Sequence, residues 1–261
     1  FIFGDVRNYD SISKAIKNNE FVFHLAALIG IPYSYNSPSS YVDTNIYGTL
    51  NVLEAARDAG VSRVVFASSS SVYGPGRELP KREEMLPQPI SPYAVSKLAG
   101  ERYCHVFTKT FGVETVALRY FNVFGPRQDP QSAYAAFIPK FVQGILNGSP
   151  LVIDGDGSQS RDFTYIRNVV QANILAAHVE GIAGQVFNIA CGVNLSVNDV
   201  VDHIRNATKL NGNVSYGEVR AGDVSHSLAD IDLAKELMGY RPEITAQEGL
   251  NEVVSWFRLK A

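Results

Sequence analysis

Short apolar runs alternate with longer amphipathic stretches over the first 125 positions. Phe21-Val22-Phe23-His24-Leu25, Val64-Val65-Phe66-Ala67 and Val116-Ala117-Leu118-Arg119-Tyr120-Phe121 read as buried strands. Phe1 to Phe3 reads as the end of an earlier strand, left through Gly4-Asp5-Val6-Arg7. Between these runs the pattern predicts helices. Asp10 is expected to cap a short one ending near Asn19. A loop with Gly30, Pro32 and Pro38 leads to a long one from about Ser39 to Ala59, with Gly60 placed to end it. Another opens at Ser91-Pro92 and closes at Gly112. Strands alternating with helices imply an α/β fold with a parallel, doubly wound sheet. After Phe124-Gly125-Pro126 the elements shorten, and helices are expected within 133–146, 166–179, 197–207, 231–237 and 247–257. Two units follow: residues 1–125 carry the sheet, and residues 126–261 form most of a smaller lobe, with a soft boundary between them.

Composition narrows the function. The chain has 261 residues and a net charge of -3, with no long basic run, which argues against nucleic acid as a partner. No apolar stretch approaches the ~20 residues of a membrane span. The opening residues lack the basic segment of a signal peptide. Cys104 and Cys191 fall in different elements and read as free thiols in a reducing, cytoplasmic compartment. No Cys/His cluster has metal-ligand spacing, so no metal is expected.

The chemistry concentrates between Arg63 and Lys97. The strand Val64–Ala67 breaks into four serines, Ser68 to Ser71, and Tyr93 and Lys97 lie four apart at the start of the next helix. That spacing puts them on one helical face. An ammonium beside a phenol favours phenolate, so the Tyr93 pKa is expected to fall from about 10 toward neutrality. With a serine at the strand end to bond the same substrate hydroxyl, Ser, Tyr and Lys make a general acid/base. The plain alternative is a chance pair on a solvated face beside a serine-rich strand end.

Phe66-Ala67-Ser68-Ser69-Ser70-Ser71-Val72-Tyr73-Gly74 and Pro92-Tyr93-Ala94-Val95-Ser96-Lys97 resemble the active site of the extended short-chain dehydrogenase/reductase family, in particular its nucleotide-sugar 4-epimerases. The resemblance implies a Rossmann-type fold, NAD as cofactor and a UDP-sugar as substrate. Alignment on Val72-Tyr73-Gly74 places Ser69, Tyr93 and Lys97 in the catalytic roles. Asp5, Val6, Leu25, Ala26, Ala27, Thr44, Ser68, Tyr93, Lys97 and Phe121 would then border the cofactor. His24 itself reads as a satisfied core histidine. Thr44-Asn45 either bonds a neighbouring loop or steadies the cofactor site. Ser69, Asn122, Ala136, Arg161, Arg220, Asp223 and Ser227 would border the substrate. Two arginine forks, Arg161 and Arg220, suit a diphosphate. A small Ser227 at the sugar wall leaves room for an N-acetyl group, against the alternative of a helix cap. Where related 4,6-dehydratases carry Asp and Glu, this chain has Ser70 and Ser71, which favours simple redox chemistry at C4 over elimination. A homodimer through the helices beginning at Ser39 and Pro92 is also implied.

One piece of the family pattern is missing. No glycine-rich turn follows a predicted strand, so the first two strands of the sheet and their helix are expected to be absent. Three explanations stand: a longer chain that supplies them, which is favoured; a truncated product that repacks; or another segment that fills the gap. The competing functions are a cofactor-less remnant that only binds nucleotide sugars, and a C4 reductase or dehydratase.

Overall fold

A computed structural model describes residues 1–131, 137–218 and 225–260. Helix α1 (Tyr9–Ile16) is followed by strand β1 (Phe21–His24). Its cap is Asn8, whose side chain accepts from Ser11 N, and not Asp10, which lies inside the first turn and there favours the positive helix end. Phe1 to Phe3 form no strand and lie exposed. The expected loop at residues 30–38 holds a short helix, α2 (Ile31–Asn36), because Pro32 sits in a first turn where its missing N–H costs nothing. The long helix then comes in pieces: α3 (Pro38–Tyr41), a π-helical turn (Val42–Tyr47) and α4 (Gly48–Ala59), ended by Gly60 at φ 68°. Strand β2 (Arg63–Ser69) runs into a 3-10 turn (Ser70–Tyr73). Helix α5 (Pro92–Phe111) starts on a Ser91 cap and ends at Gly112, φ 72°, before β3 (Thr115–Tyr120).

The remaining chain contributes β4 (Val123–Phe124), α6 (Phe137–Asn147), β5 (Pro150–Asp154), β6 (Ser160–Asp162), β7 (Thr164–Tyr165) and α7 (Ile166–His178). After these come β8 (Val186–Ile189), β9 (Asn194–Ser196), α8 (Val197–Thr208), β10 (Asn213–Gly217), α9 (Asp232–Met238) and α10 (Ala246–Arg258).

Among the described residues the main sheet is parallel in the order β1-β2-β3-β8, with His24 opposite Phe66, Ser69 opposite Tyr120, and Tyr120 opposite Ile189. Strand alternation divides the core. Val64, Phe66 and Ala117 face α1, α4 and α5 with Leu53, Ala56, Cys104 and Phe107. Val65, Val116 and Leu118 face the other way, toward Val169, Ala172 and Phe187. Both faces are therefore covered, which is why the strands read as unbroken apolar runs. Strand β8 and helices α7 and α9, from beyond residue 125, return to this sheet. A separate core of Phe124, Phe141, Ile153, Ile204 and Leu250 holds α6, α8 and α10 together. Among the described residues this part also holds three two-stranded sheets, β4-β7, β5-β10 and β6-β9.

Candidate active site

The site lies at the carboxyl ends of β2 and β3, where doubly wound sheets bind ligands. Ser69 ends β2 and accepts from Ser71 N at 3.2 Å and Ser71 Oγ at 2.9 Å. Both of these bonds use lone pairs, so the Ser69 O–H remains available to donate. The Ser91 side chain accepts from Ala94 N at 3.1 Å and starts α5 where Tyr93 meets the serine. The Tyr93 ring is held edge-on against Tyr41, 6.3 Å between centroids at 83°. Tyr41 in turn donates to Gly30 O at 2.5 Å.

Lys97 sits one turn below, buried, and donates to Ala67 O at 2.8 Å. Its Nζ is 5.2 Å from the Phe66 ring centroid. Burial brings its pKa down to about 8. The expectation for Tyr93 is reversed: burial raises its pKa, and the Ser69 hydrogen bond only partly offsets this. The physical reason is that the ammonium is engaged by the Ala67 carbonyl, while the phenol is withdrawn from water.

Other expected positions fall as follows. His24 Nε2 and Thr49 Oγ1 are 2.9 Å apart, and burial drives the His24 pKa down to about 3, the state of a neutral core histidine. Leu25 and Ala26 lie exposed and Ala27 half-buried just past β1, leaving backbone that a ligand can approach. Thr44 is half-buried in the π-helical turn. Its neighbour Asn45 accepts from Leu28 N at 2.8 Å and donates to Leu28 O and Ser96 Oγ, both at 2.9 Å, tying that loop to α5. Asp5 is exposed and chelates Arg7, whose side-chain hydrogen bond is the main cause lowering the Asp5 pKa to about 2. Asp5, Arg7, Asp43 and Tyr47 border a shallow cavity of about 510 Å³. Val6 is half-buried beside it.

Two residues expected at the cofactor turn their side chains into the protein. The Ser68 side chain is buried and donates to Glu101 at 2.5 Å, so its hydroxyl is turned away from the cleft. Phe121, just past the end of β3, is fully buried in the same core as Leu118 and Phe187, its ring 6.2 Å from that of Tyr73. Asn122 has φ 27°, an uncommon geometry outside glycine, and its Nδ2 donates to Asp162 O at 3.3 Å. Arg161 Nη1 bonds Ser160 O at 3.0 Å and Ser225 O at 3.1 Å. Ser227 is half-buried and its N–H bonds Ser160 O at 3.0 Å, beside Arg161 and short of any helix cap. Ala136, Arg220 and Asp223 lie outside the described residues.

Two features escaped the sequence. A cavity of about 780 Å³ opens between Asp154–Gln159, Tyr216–Glu218 and Ser225–His226, next to Arg161. Fully buried Asp162 accepts from Cys191 N at 2.9 Å, Gly192 N at 3.0 Å and Ala229 N at 3.3 Å, so it ties two loops to β6. Burial still lifts its pKa to about 6. Adjacency to Arg161 was the available signal for the first; nothing in the sequence pattern marked the second.

The residues suit a nicotinamide nucleotide. Of the three ammonium hydrogens of Lys97, one goes to Ala67 O, leaving donors for ribose hydroxyls at a site flanked by the exposed small residues after β1.

Residues 1–190 match the family model described as the NAD dependent epimerase/dehydratase family. The chain belongs to that family. A putative UDP-glucose 4-epimerase of Methanocaldococcus jannaschii is 37% identical over 260 residues, covering 99% of this chain and 84% of the relative. The structure of a UDP-N-acetylglucosamine 4-epimerase from Methanobrevibacter ruminantium M1, in complex with UDP-N-acetylmuramic acid, superposes with a TM-score of 0.94. Its identity is 41%, and the match covers 99% of this chain and 82% of that one. MoeE5 in complex with UDP-glucuronic acid and NAD gives 0.92 at 39% identity, covering 100% and 86%.

Proposed function

We propose that this protein is a UDP-sugar 4-epimerase, acting on UDP-N-acetylglucosamine/galactosamine and also on UDP-glucose/galactose. The observation that carries the reading is Ser69 ending β2 beside α5, which bears Tyr93 and, one turn on, Lys97 bonded to Ala67 O of that strand, with Ser70 and Ser71 in place of carboxylates. The chemistry supplied by bound NAD is reversible two-electron oxidation at C4. Tyr93 takes the C4 hydroxyl proton and returns it. Ser69 donates a hydrogen bond to the C4 oxygen. Lys97, anchored on Ala67 O, binds the nicotinamide ribose with its remaining donors.

Asn122 and Arg161 are assigned to the diphosphate; the resemblance assigns Arg220, Asp223 and Ala136, outside the described residues, to the diphosphate, ribose and nucleotide. The cavity beside Arg161 offers room for the nucleoside. Ser227 keeps the wall open for an N-acetyl group. Asp5, Val6, Leu25, Ala26, Ala27 and Thr44 border the cofactor, as does the backbone of Ser68 and Phe121. The sheet of residues 1–125 serves as the cofactor lobe and residues 126–261 mainly as the substrate lobe.

A homodimer is supported by apolar side chains left exposed on the two helical segments: Val42, Tyr47, Val95, Tyr103 and Val106. Unpaired Cys104 and Cys191 fit a reducing cytoplasm. No helix among the described residues is long and apolar enough to cross a membrane.

Tyr93→Phe tests the assignment. It is expected to abolish interconversion of the C4 epimers while leaving UDP-sugar binding by calorimetry intact; retained turnover contradicts it.

A further inference from the structure

Behind the reactive groups lies a buried charged cluster that their chemistry does not use. Tyr93, Lys97 and Glu101 follow one another every fourth residue along α5. Glu101 is 3% exposed and accepts from Ser68 Oγ at 2.5 Å, Arg119 Nε at 2.9 Å and Arg119 Nη2 at 2.8 Å. A carboxylate on the tyrosine helix therefore grips β2 one residue before Ser69, and β3 beside it.

Stability alone does not account for the cluster. Removing two charges from water offsets most of their attraction, and well-packed apolar residues commonly hold elements together as firmly. Among the described residues, Arg119 Nη1 is moreover buried without a hydrogen-bond partner. What the cluster supplies is direction. A bidentate fork and a short hydroxyl bond fix how far α5 slides and turns on the sheet, whereas apolar contacts tolerate drift. The grip also reaches past Ser69: the Arg119 guanidinium lies 4.7 Å from the Tyr73 ring centroid, at the end of the serine turn. Tyr73 donates to Asn188 Oδ1 at 2.7 Å, and Asn188 Nδ2 donates to Lys81 O at 2.9 Å and Asp230 O at 3.1 Å. One buried path thus joins the tyrosine helix, the serine turn and the segment after Ser227.

We propose that Glu101 is a positioning residue which, through Ser68 and Arg119, sets the approach of Tyr93 and Lys97 to Ser69. The kinetic part of the test rests on the 4-epimerase reading; the titration part does not.

Three variants of the full chain decide the matter, assayed with NAD and UDP-sugar: Glu101→Gln, Ser68→Ala and Ser68→Thr. Displacement of catalytic groups by about 1 Å costs roughly 100-fold. Glu101→Gln is expected to lose about that much kcat, and Ser68→Ala, which leaves the ion pair intact, about tenfold. In Ser68→Ala, KM and Tm stay near wild type, and the acidic limb of the pH–kcat profile moves to higher pH. Thr at 68 restores all of these. Should Glu101→Gln not fold, Ser68→Ala carries the test. Independently of turnover, the Tyr93 phenol is titrated by NMR of 13C-tyrosine-labelled protein, its signal assigned by its loss in Tyr93→Phe. The titration is expected to move upward in Ser68→Ala and to return in Ser68→Thr. An unmoved phenol in Ser68→Ala overturns the positioning role. Absence of turnover in the wild type, with the phenol shifted as expected, overturns the epimerase reading instead.

Discussion

Gly100→Ala sets two physical effects against each other at the helix that carries the site. Propensity favours the change: alanine in a helix interior is about 1 kcal/mol better than glycine. Packing opposes it. A Cβ at Gly100 would lie 2.3 Å from Phe66 Cζ and 2.9 Å from Cε1. Phe66 is 2% exposed and hemmed in by the His24 ring at 5.7 Å and by Lys97. Restoring an ordinary contact of 3.4 Å from 2.3 Å requires movement of about 1 Å. Overpacking of this kind costs about 1–3 kcal/mol. The net change is a loss of roughly 0–2 kcal/mol, or up to about 8 °C in Tm for a chain of this size. The effect on turnover is larger, because α5 carries Tyr93 and Lys97, and a displacement of about 1 Å corresponds to a roughly 100-fold loss in kcat. Calorimetry and steady-state kinetics on the one variant read both. A Tm raised by the propensity gain, with kcat within about twofold of wild type, would refute the close helix–strand approach as the element that seats the site.

Further outcomes follow from the same geometry. The Lys97 pKa is lowered from 10.5 to about 8 by burial, so the ammonium burdens the nucleotide-free fold below pH 8, and that burden fades as pH rises through about 10.5. Lys97→Met should therefore abolish turnover yet raise stability at pH 7 by up to about 3 kcal/mol, with the gap closing by pH 10.5; a pH-independent gap contradicts this. His24 has the lowered pKa of a buried neutral imidazole, so its contribution is present above its ordinary pKa of 6.5 and is lost as pH falls toward about 3. In chemical denaturation, the advantage of wild type over His24→Gln should shrink steadily from pH 6.5 to pH 4; a constant difference is the contrary result. Arg63 is 5% exposed and caps the end of α7 by donating from Nη1 to the carbonyls of Ala176, Ala177 and Val179. Arg63→Met should cost about 2–3 kcal/mol without slowing catalysis, and Arg63→Lys should recover little, since an ammonium lacks the planar fork.

Local signals in the chain were read well. Ser91, Pro92 and Gly112 bound α5 because caps and fixed φ angles act within a few residues. The strands carrying Ser69 and Tyr120 showed as apolar runs because both sheet faces are covered. Features set by distant partners did not show. Helix α2, with Pro32 in its first turn, reads as a loop in the sequence because it is too short to show a period. The π-helical turn at Val42–Tyr47 holds Asn45 between Leu28 and Ser96, contacts 17 and 51 residues apart. The inward turn of Ser68 depends on Glu101, 33 residues away. The direction of the Tyr93 pKa depends on how deeply the phenol is buried, which spacing along a helix does not report.

The most direct test of the account is the fate of the hydrogen at C4. UDP-glucose or UDP-N-acetylglucosamine carrying deuterium at C4 is incubated with the purified protein and NAD in ordinary water, and the sugars are followed by proton NMR. The account predicts the C4 epimer with the deuterium retained, and none of it with Tyr93→Phe. Failure to form the epimer, or an epimer whose C4 position has exchanged with water, contradicts it.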